Sequence, residues 1–229
     1  MPRAVLVAGG TGGLGPAVVA ALLDAGHPVT ATWRSERERE QTERELADRS
    51  RLAFVRADLT APEDAERAVT SVADLSAVVN LIGGYSGGRE VHETEPSDFE
   101  HMLRLNLLPG FLLARAAMPV LAAAGGGAFV GISSRAALRP FGGAAGYITA
   151  KAGLLAFIQA LDAEYRHQGV RSNAVLPSVI DTPANRSAQP AADHSRWVAP
   201  EEIAAVVRFL VSEDSAPISG AAVPVYGGA

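Results

Sequence analysis

Tyr147 and Lys151 are the residues whose types and spacing most directly suggest chemistry. They stand four positions apart near the start of a predicted helix, so both side chains emerge on one face. An isolated phenol, with a pKa near ~10, is a poor acid–base group at neutral pH. A neighbouring ammonium group lowers that pKa toward the working range. Because this spacing also arises by chance on amphipathic helices, the pair needs supporting residues to define a site.

A glycine-rich loop, GGTGGLGP over residues 9–16, follows the first predicted strand and precedes an apolar helical pattern. Glycines let the backbone approach a pyrophosphate, and a helix N-terminus offers free N–H groups and the positive end of the helix dipole. A flexible turn is the alternative interpretation. The position between a strand and a helix favours a dinucleotide site, whose residues are expected to be Gly9, Thr11, Gly12, Gly13, Leu14 and Gly15.

The end of the second predicted strand indicates which dinucleotide this is. A carboxylate at this point would bind a ribose 2′-hydroxyl, but the sequence is Trp33-Arg34-Ser35, with no carboxylate before Glu36. A guanidinium group binds a phosphate through paired, charge-assisted hydrogen bonds. Arg34 and Ser35 therefore favour NADP(H) over NAD(H), with Arg37 as a possible helper. For Arg37, and equally for residues 39 and 44, a solvated Glu–Arg helix face is the preferred interpretation.

The elements that must position these residues alternate along the chain. Short apolar runs predict strands over 4–8, 29–33, 52–55, 77–81, 128–132, 172–176 and 222–225. Helical patterns occupy 14–25, 36–47, 62–72, 96–123, 147–167 and 200–211. This alternation predicts an α/β, Rossmann-like, doubly wound parallel sheet of about seven strands with helices on both faces. Such sheets bind ligands beyond the carboxyl ends of their strands.

Composition excludes several classes of function. The 229 residues carry a net charge of −5, which argues against nucleic acid as a partner. They contain no cysteine, which excludes disulfides, thiolate metal sites and a cysteine nucleophile. The five histidines have no metal-ligand spacing, so we expect no metal. The most apolar stretch, from Phe111 to Ala124, is interrupted by Arg115 and Pro119, so we expect no membrane span. The chain is predicted to be one domain over 1–229, soluble and cytoplasmic.

Taken together, these residues resemble the short-chain dehydrogenase/reductase family, in its short single-domain branch. Ser134 lies thirteen residues before Tyr147, the usual separation of the family's catalytic serine and tyrosine. Asn106, on the long fourth predicted helix, matches the family's catalytic asparagine. The resemblance implies hydride transfer between a nicotinamide and a carbonyl carbon. Ser134 would bind the carbonyl oxygen, Tyr147 would donate the proton, and Lys151 would bind the nicotinamide ribose. Asn106 would hold a water that links Lys151 to solvent. Ser133 is the alternative serine.

The resemblance covers essentially the whole chain and implies further cofactor contacts. These are Asp58 and Leu59 near the adenine, Asn80 and Gly83 after the fourth strand, and Pro177 and Thr182 beside the nicotinamide. The glycines of the loop fit three spacings that are known from dinucleotide-binding sites. Because the chain resembles the short branch, Gly9, Gly13 and Gly15 are expected to carry the motif. The sequence departs from the family pattern at Ala8, at Leu81-Ile82 and at Ser178.

The substrate side is less informative. The segment after Thr182 is short and polar, with Trp197 as its only large apolar residue, and Tyr85 in a glycine-rich loop could form a second wall. That loop faintly resembles the one in dihydropteridine reductases, which is an alternative function. A non-catalytic NADP(H) sensor is a second alternative, although the tyrosine and lysine are both present. An epimerase of the extended branch would need a larger C-terminal domain. We expect a small carbonyl or alcohol substrate, and a homodimer or homotetramer formed through the helices that begin near Pro96 and Tyr147.

Overall fold

A computed structural model describes residues 2–228 of the chain. Seven parallel strands join one sheet in the order β3-β2-β1-β4-β5-β6-β7. The strands are β1 Ala4–Ala8, β2 Val29–Trp33, β3 Leu52–Arg56, β4 Leu75–Asn80, β5 Gly127–Ile132, β6 Val170–Pro177 and β7 Ala222–Val225. The Rossmann-like fold predicted from the alternation is confirmed. Its strand order reverses between β1 and β4, which is where a ligand site is expected.

Eight α-helices accompany the sheet in the part of the chain described. They are α1 Gly15–Asp24, α2 Glu36–Glu45, α3 Pro62–Thr70, α4 Pro96–Asn106, α5 Leu108–Ala123, α6 Ala145–Tyr165, α7 Pro183–Ala188 and α8 Pro200–Val211. The short helix α7 has no counterpart among the sequence predictions. The other predicted helix and strand ends lie within two residues of those observed, apart from one helix that is divided.

The strands are apolar throughout because both faces of the sheet are buried. In β1, Leu6 packs into a core beneath α3, α5 and α6, whereas Val5 and Val7 pack into a second core beneath α1 and α8. All three side chains have no exposed surface. Successive side chains point to opposite faces of a strand, so a strand buried on both sides has no polar alternation.

The predicted helix over 96–123 is two helices, α4 and α5, separated at Leu107 (φ −111°, ψ −48°). Pro109 explains the break, because proline has no N–H and its ring clashes with the carbonyl four residues earlier. Segment 96–123 is long and apolar enough to cross a membrane by length and composition alone, and half of its most apolar window is buried inside the protein. In this fold it is a core helix pair, with Leu113 and Leu121 fully buried against the sheet.

Candidate active site

One large cavity, with a volume of about 1170 Å³, borders the loops that follow β1 to β6. It runs from Arg34 and Asp58 at one end, past the glycine-rich loop, to Ser134, Tyr147 and the residues of α7 at the other. Pockets for one drug-sized ligand usually occupy ~300–1,000 Å³. The cavity therefore has room for a dinucleotide and a second reactant together. It also coincides with the reversal of strand order, as expected for this class of sheet.

Lys151 lies in the wall of this cavity, and it is the only lysine in the sequence. The residue is 5% exposed, and its Nζ donates a hydrogen bond to the carbonyl oxygen of Ile132 at 2.9 Å. Burial lowers the pKa of Lys151 from 10.5 to about 8. An ammonium group at neutral pH has three donors, so two remain to face the cavity.

Tyr147 lies one helical turn before Lys151, whose Nζ is 6.0 Å from the centre of the phenol ring. Burial raises the pKa of Tyr147, and a hydrogen bond with Ser134 partly offsets that rise. The expectation that Lys151 lowers this pKa is not met here, because Nζ is directed at the Ile132 carbonyl and desolvation of the phenol dominates. A neutral phenol is the form that can donate a proton. The ring of Tyr85 packs edge-on against Tyr147, with centroids 5.2 Å apart.

The two adjacent serines at the end of β5 have different partners. Ser134 faces Tyr147, and its Oγ accepts a hydrogen bond from the backbone N–H of Ala136 at 3.1 Å. The same hydroxyl group is hydrogen-bonded to the Tyr147 phenol at the cavity wall. Ser133 Oγ instead donates to the backbone carbonyl of Lys151 at 2.8 Å, so it fastens β5 to α6. The geometry favours Ser134 over Ser133 as the reactive serine.

Asn106, at the end of α4, is fully buried and does not line the cavity. Its amide binds the backbone of Gly84 twice: Nδ2 donates to the carbonyl and Oδ1 accepts from the N–H, both at 3.0 Å. Gly83 lies between this amide and the Lys151 amine. A Cβ at residue 83 would stand 2.7 Å from Asn106 Oδ1 and 2.7 Å from Lys151 Nζ. Only glycine fits there, and Asn106 fixes the loop that holds it.

The glycine-rich loop leaves backbone donors for an anion. Gly9 has a φ of +77°, and a Cβ at Gly15 would come within 2.3 Å of the Gly10 carbonyl. A Cβ at Gly12 meets nothing closer than 3.5 Å, so the packing of the loop itself does not require glycine at residue 12. Among residues 2–228, the N–H groups of Thr11 and Gly13 have no acceptor. Helix α1 has neither a side-chain cap nor an acidic residue in its first turn.

At the far end of the cavity, Arg34 is exposed and pairs with no carboxylate of the described chain. Hydrogen bonds from Thr60 lower the pKa of Asp58, and the charge of Arg34 lowers it further. Glu38 also lines this end. Ser35 does not line it, because its Oγ caps α2 by accepting from the Glu38 N–H at 3.4 Å. On α2, the predicted solvated Glu–Arg helix face is observed at Arg39, which pairs with Glu36 and Glu43 at 2.6 and 2.7 Å.

The remaining predicted residues divide into two groups. Those that line the cavity are Leu14, Leu59, Pro177, Thr182 and Tyr85. The methyl group of Thr182 packs against Gly13, where a Cβ would stand 3.1 Å away. Asn80 lies beneath the surface, where its Oδ1 accepts from the Ile82 N–H at 3.1 Å. Trp197 lies outside the cavity, with its ring 4.3 Å from that of His194. The large apolar side chain of Trp197 is the reason to predict a substrate contact. In the structure that side chain packs against His194 instead.

Comparison with known proteins identifies the family of this chain. The family model described as enoyl-(acyl carrier protein) reductase matches residues 8–229. Among curated proteins, 3-oxoacyl-(acyl-carrier-protein) reductase MabA of Mycobacterium tuberculosis is 30% identical over 237 residues, covering 99% of this chain and 92% of that protein. The chain belongs to the short-chain dehydrogenase/reductase family. It is accordingly an NAD(P)-dependent oxidoreductase.

Other members of the short-chain dehydrogenase/reductase family are similar over the same length. 2-(R)-Hydroxypropyl-CoM dehydrogenase of Xanthobacter autotrophicus is 29% identical over 245 residues, covering 99% of this chain and 98% of that one. A solved short-chain dehydrogenase/reductase from Mycobacterium ulcerans superposes with a TM-score of 0.93 at 26% identity, covering 99% of this chain and 89% of that one. The fold and the family are therefore shared across the whole described chain.

Sequence reasoning missed one group of cavity residues in this dehydrogenase/reductase. Arg135, Arg139 and Phe141 follow Ser134 in the chain, and all three line the cavity, as does Val179 after β6. Proximity to Ser134 was the available signal. The path of the loop, which decides whether its side chains face the cavity or solvent, is not encoded in any local periodicity.

Proposed function

We propose that this protein transfers a hydride between NADP(H) and a carbonyl or alcohol substrate, with Ser134, Tyr147 and Lys151 as its catalytic residues. The observation that carries the proposal is the arrangement of these three side chains in one cavity wall. The phenol of Tyr147 is hydrogen-bonded to Ser134 and has a buried amine one helical turn away.

The residues at the cavity fit a nicotinamide dinucleotide. Unpaired N–H groups at Thr11 and Gly13 and the uncapped N-terminus of α1 suit a pyrophosphate. Gly83 provides a close backbone approach beside Lys151 that no other residue would leave open. Arg34, exposed and without a carboxylate partner in the described chain, suits a 2′-phosphate. Glu38 opposes a phosphate at the same end, so the preference for NADP(H) depends on Arg34.

Each catalytic side chain has a defined part in the reduction direction. When bound, NADPH supplies a hydride to the carbonyl carbon. The Ser134 hydroxyl donates to the carbonyl oxygen as negative charge develops on it. Tyr147, kept neutral by burial, gives its proton to that oxygen, which completes the alcohol. Lys151, with a pKa of about 8, is mostly an ammonium group at pH 7, and its donors suit the nicotinamide ribose hydroxyls, as the family resemblance implies.

Asn106 acts in this proposal as a positioning residue. Its two hydrogen bonds to Gly84 hold the loop that lies against Lys151. The water-holding role that the family resemblance implies for Asn106 stays a prediction.

A substrate screen tests the proposed function. Aldehydes, ketones, quinones and dihydropteridines are offered while the oxidation of NADPH and of NADH is followed by absorbance. We expect turnover with at least one carbonyl compound and a lower KM for NADPH than for NADH. Preference for NADH would contradict the role of Arg34. Binding of NADPH with no turnover of any compound would favour the non-catalytic sensor, and turnover confined to dihydropteridines would favour the pteridine alternative.

We also propose that the enzyme is a homodimer or homotetramer. On α5, Phe111 and Val120 are 46% and 39% exposed, and Phe111 packs edge-on against Phe157 of α6. Exposed aromatic and aliphatic side chains on adjacent helices are typical of an interface. A monodisperse monomer in light scattering at micromolar concentration would contradict this proposal. A cytoplasmic location stays a prediction.

A further inference from the structure

The loop after Ser134 gives the reactive end of the cavity an unusual charge. Arg135 and Arg139 both line the cavity there, and Arg139 is exposed. The carboxylates that line the cavity, Glu38 and Asp58, follow β2 and β3 at the opposite end with Arg34. The reactive end therefore carries two guanidinium groups and the ammonium group of Lys151, with no carboxylate among the described residues of its lining.

Neither guanidinium group has an ion-pair or hydrogen-bond partner within residues 2–228. No carboxylate lies within ion-pair distance of Arg135 or Arg139, and neither side chain donates a hydrogen bond. Arg49 and Arg186, which do not line the cavity, pair with aspartates at 2.9 and 2.5 Å. Arg135 is held in place by an aromatic face instead, with its guanidinium carbon 5.3 Å from the ring centre of Tyr226. Five N–H donors in a fixed fork match a carboxylate, sulfonate or phosphate.

Exposed apolar side chains also line the cavity. Tyr85, Phe141 and Val179 line the same end of the cavity and are 59%, 51% and 37% exposed. Pro140 lies between Arg139 and Phe141 and also contributes to the wall. Exposed aromatic side chains in a cavity are typical of a site that binds an apolar ligand. Cations beside them add a requirement for negative charge.

We propose that the substrate of this enzyme combines an apolar, preferably aromatic, body with an anionic group, and that Arg135 and Arg139 bind that group. The assignment rests on the proposed function, because it places the anion relative to a carbonyl held by Ser134 and Tyr147. The apolar body lies against Tyr85 and Phe141, and the two arginines select among carbonyl compounds by charge.

The test compares two aldehydes of different charge state, anionic 4-formylbenzoate and its neutral methyl ester, with NADPH at saturation. The variants are Arg135→Gln, Arg139→Gln and the double variant, and Arg208→Gln is the matched control. Arg208 is exposed on α8, outside the cavity and without an ion pair in the described chain. We expect kcat/KM for the acid to exceed that for the ester by about tenfold or more in the wild-type enzyme, the value of a hydrogen bond to a charged group. The double variant should lose this preference through KM, and Arg208→Gln should keep it.

Equal kcat/KM values for acid and ester in the wild-type enzyme would overturn the assignment. So would a double variant that loses both substrates equally, or one whose KM for NADPH rises instead, since the arginines would then serve the cofactor. If neither aldehyde is reduced although another carbonyl compound is, inhibition of that reaction by benzoate is compared with inhibition by benzamide. Stronger inhibition by benzoate that is lost in the double variant supports the assignment, and equal inhibition by the two overturns it. No turnover with any carbonyl compound is a different result, since it removes the proposed function and the assignment together.

Discussion

The buried amine of Lys151 opposes folding at neutral pH. The residue is 5% exposed, and burial lowers its pKa from 10.5 to about 8. At ~1.36 kcal/mol per pKa unit, this difference corresponds to about 3 kcal/mol against the folded state at pH 7. Lys151→Met removes the charge and keeps an unbranched side chain of similar length. It also leaves the Ile132 carbonyl without its donor, which costs about 1 kcal/mol. The variant should therefore be more stable than the wild type by about 2 kcal/mol at pH 7.

The pH dependence of this difference has a definite sign. Because the folded-state pKa lies below the unfolded one, the unfolded wild-type chain binds more protons between about pH 8 and pH 10.5. Wild-type stability therefore rises with pH through that window, and the methionine variant lacks this contribution. By pH 9.5 the wild type should have recovered about 2 kcal/mol, so the two proteins should then be nearly equal in stability.

Urea unfolding at pH 7 and pH 9.5, without nucleotide, measures both values. All other titrating groups are common to the two proteins, so the difference isolates Lys151. As the only lysine, Lys151 also gives a single side-chain signal after selective isotope labelling, and its NMR titration should report a pKa of about 8. A variant less stable than the wild type at pH 7 would refute the reasoning. A stability difference that is the same at both pH values would also refute it.

Four further substitutions test separate parts of the site. Gly83→Ala places a methyl group 2.7 Å from Lys151 Nζ. We expect the free energy of unfolding in urea to fall by about 1–3 kcal/mol and kcat to fall as well. An unchanged kcat would contradict the close packing. Arg34→Ala should raise the KM for NADPH about tenfold and leave that for NADH unchanged, whereas equal effects on both would show that no 2′-phosphate is bound. Ser134→Ala should lower kcat by about a hundredfold or more. Ser133→Ala should instead cost about 1 kcal/mol of stability through its lost hydrogen bond. A larger loss of kcat in Ser133→Ala would show that Ser133, and not Ser134, is the reactive serine.

The fold was predictable because each signal was local. Apolar runs bounded by turns fix the strands, and β1, β2 and β7 begin and end where the sequence predicts. The break between α4 and α5 escaped prediction, although Pro109 was visible. The interruption is one residue long, so the apolar residues on either side stay in nearly the same helical phase. The sequence pattern over 96–123 therefore predicts a single helix.

The site was predictable only where a backbone motif determines geometry. The spacing of Tyr147 and Lys151 on α6 places them together whatever surrounds them. The partners of Ser133 and Ser134 depend on the packing of α6 against β5, and the exposure of Arg139 depends on the path of a loop. These tertiary contacts leave no periodic signal in the sequence.

The proton-donating role of Tyr147 is the central claim, and the most direct measurement compares wild type with Tyr147→Phe. NADPH oxidation is followed with the best carbonyl substrate from the screen, and NADPH binding to each protein is measured separately. The account predicts that the variant binds NADPH as tightly as the wild type and that its kcat falls by about a hundredfold or more. Full turnover by Tyr147→Phe would contradict the account.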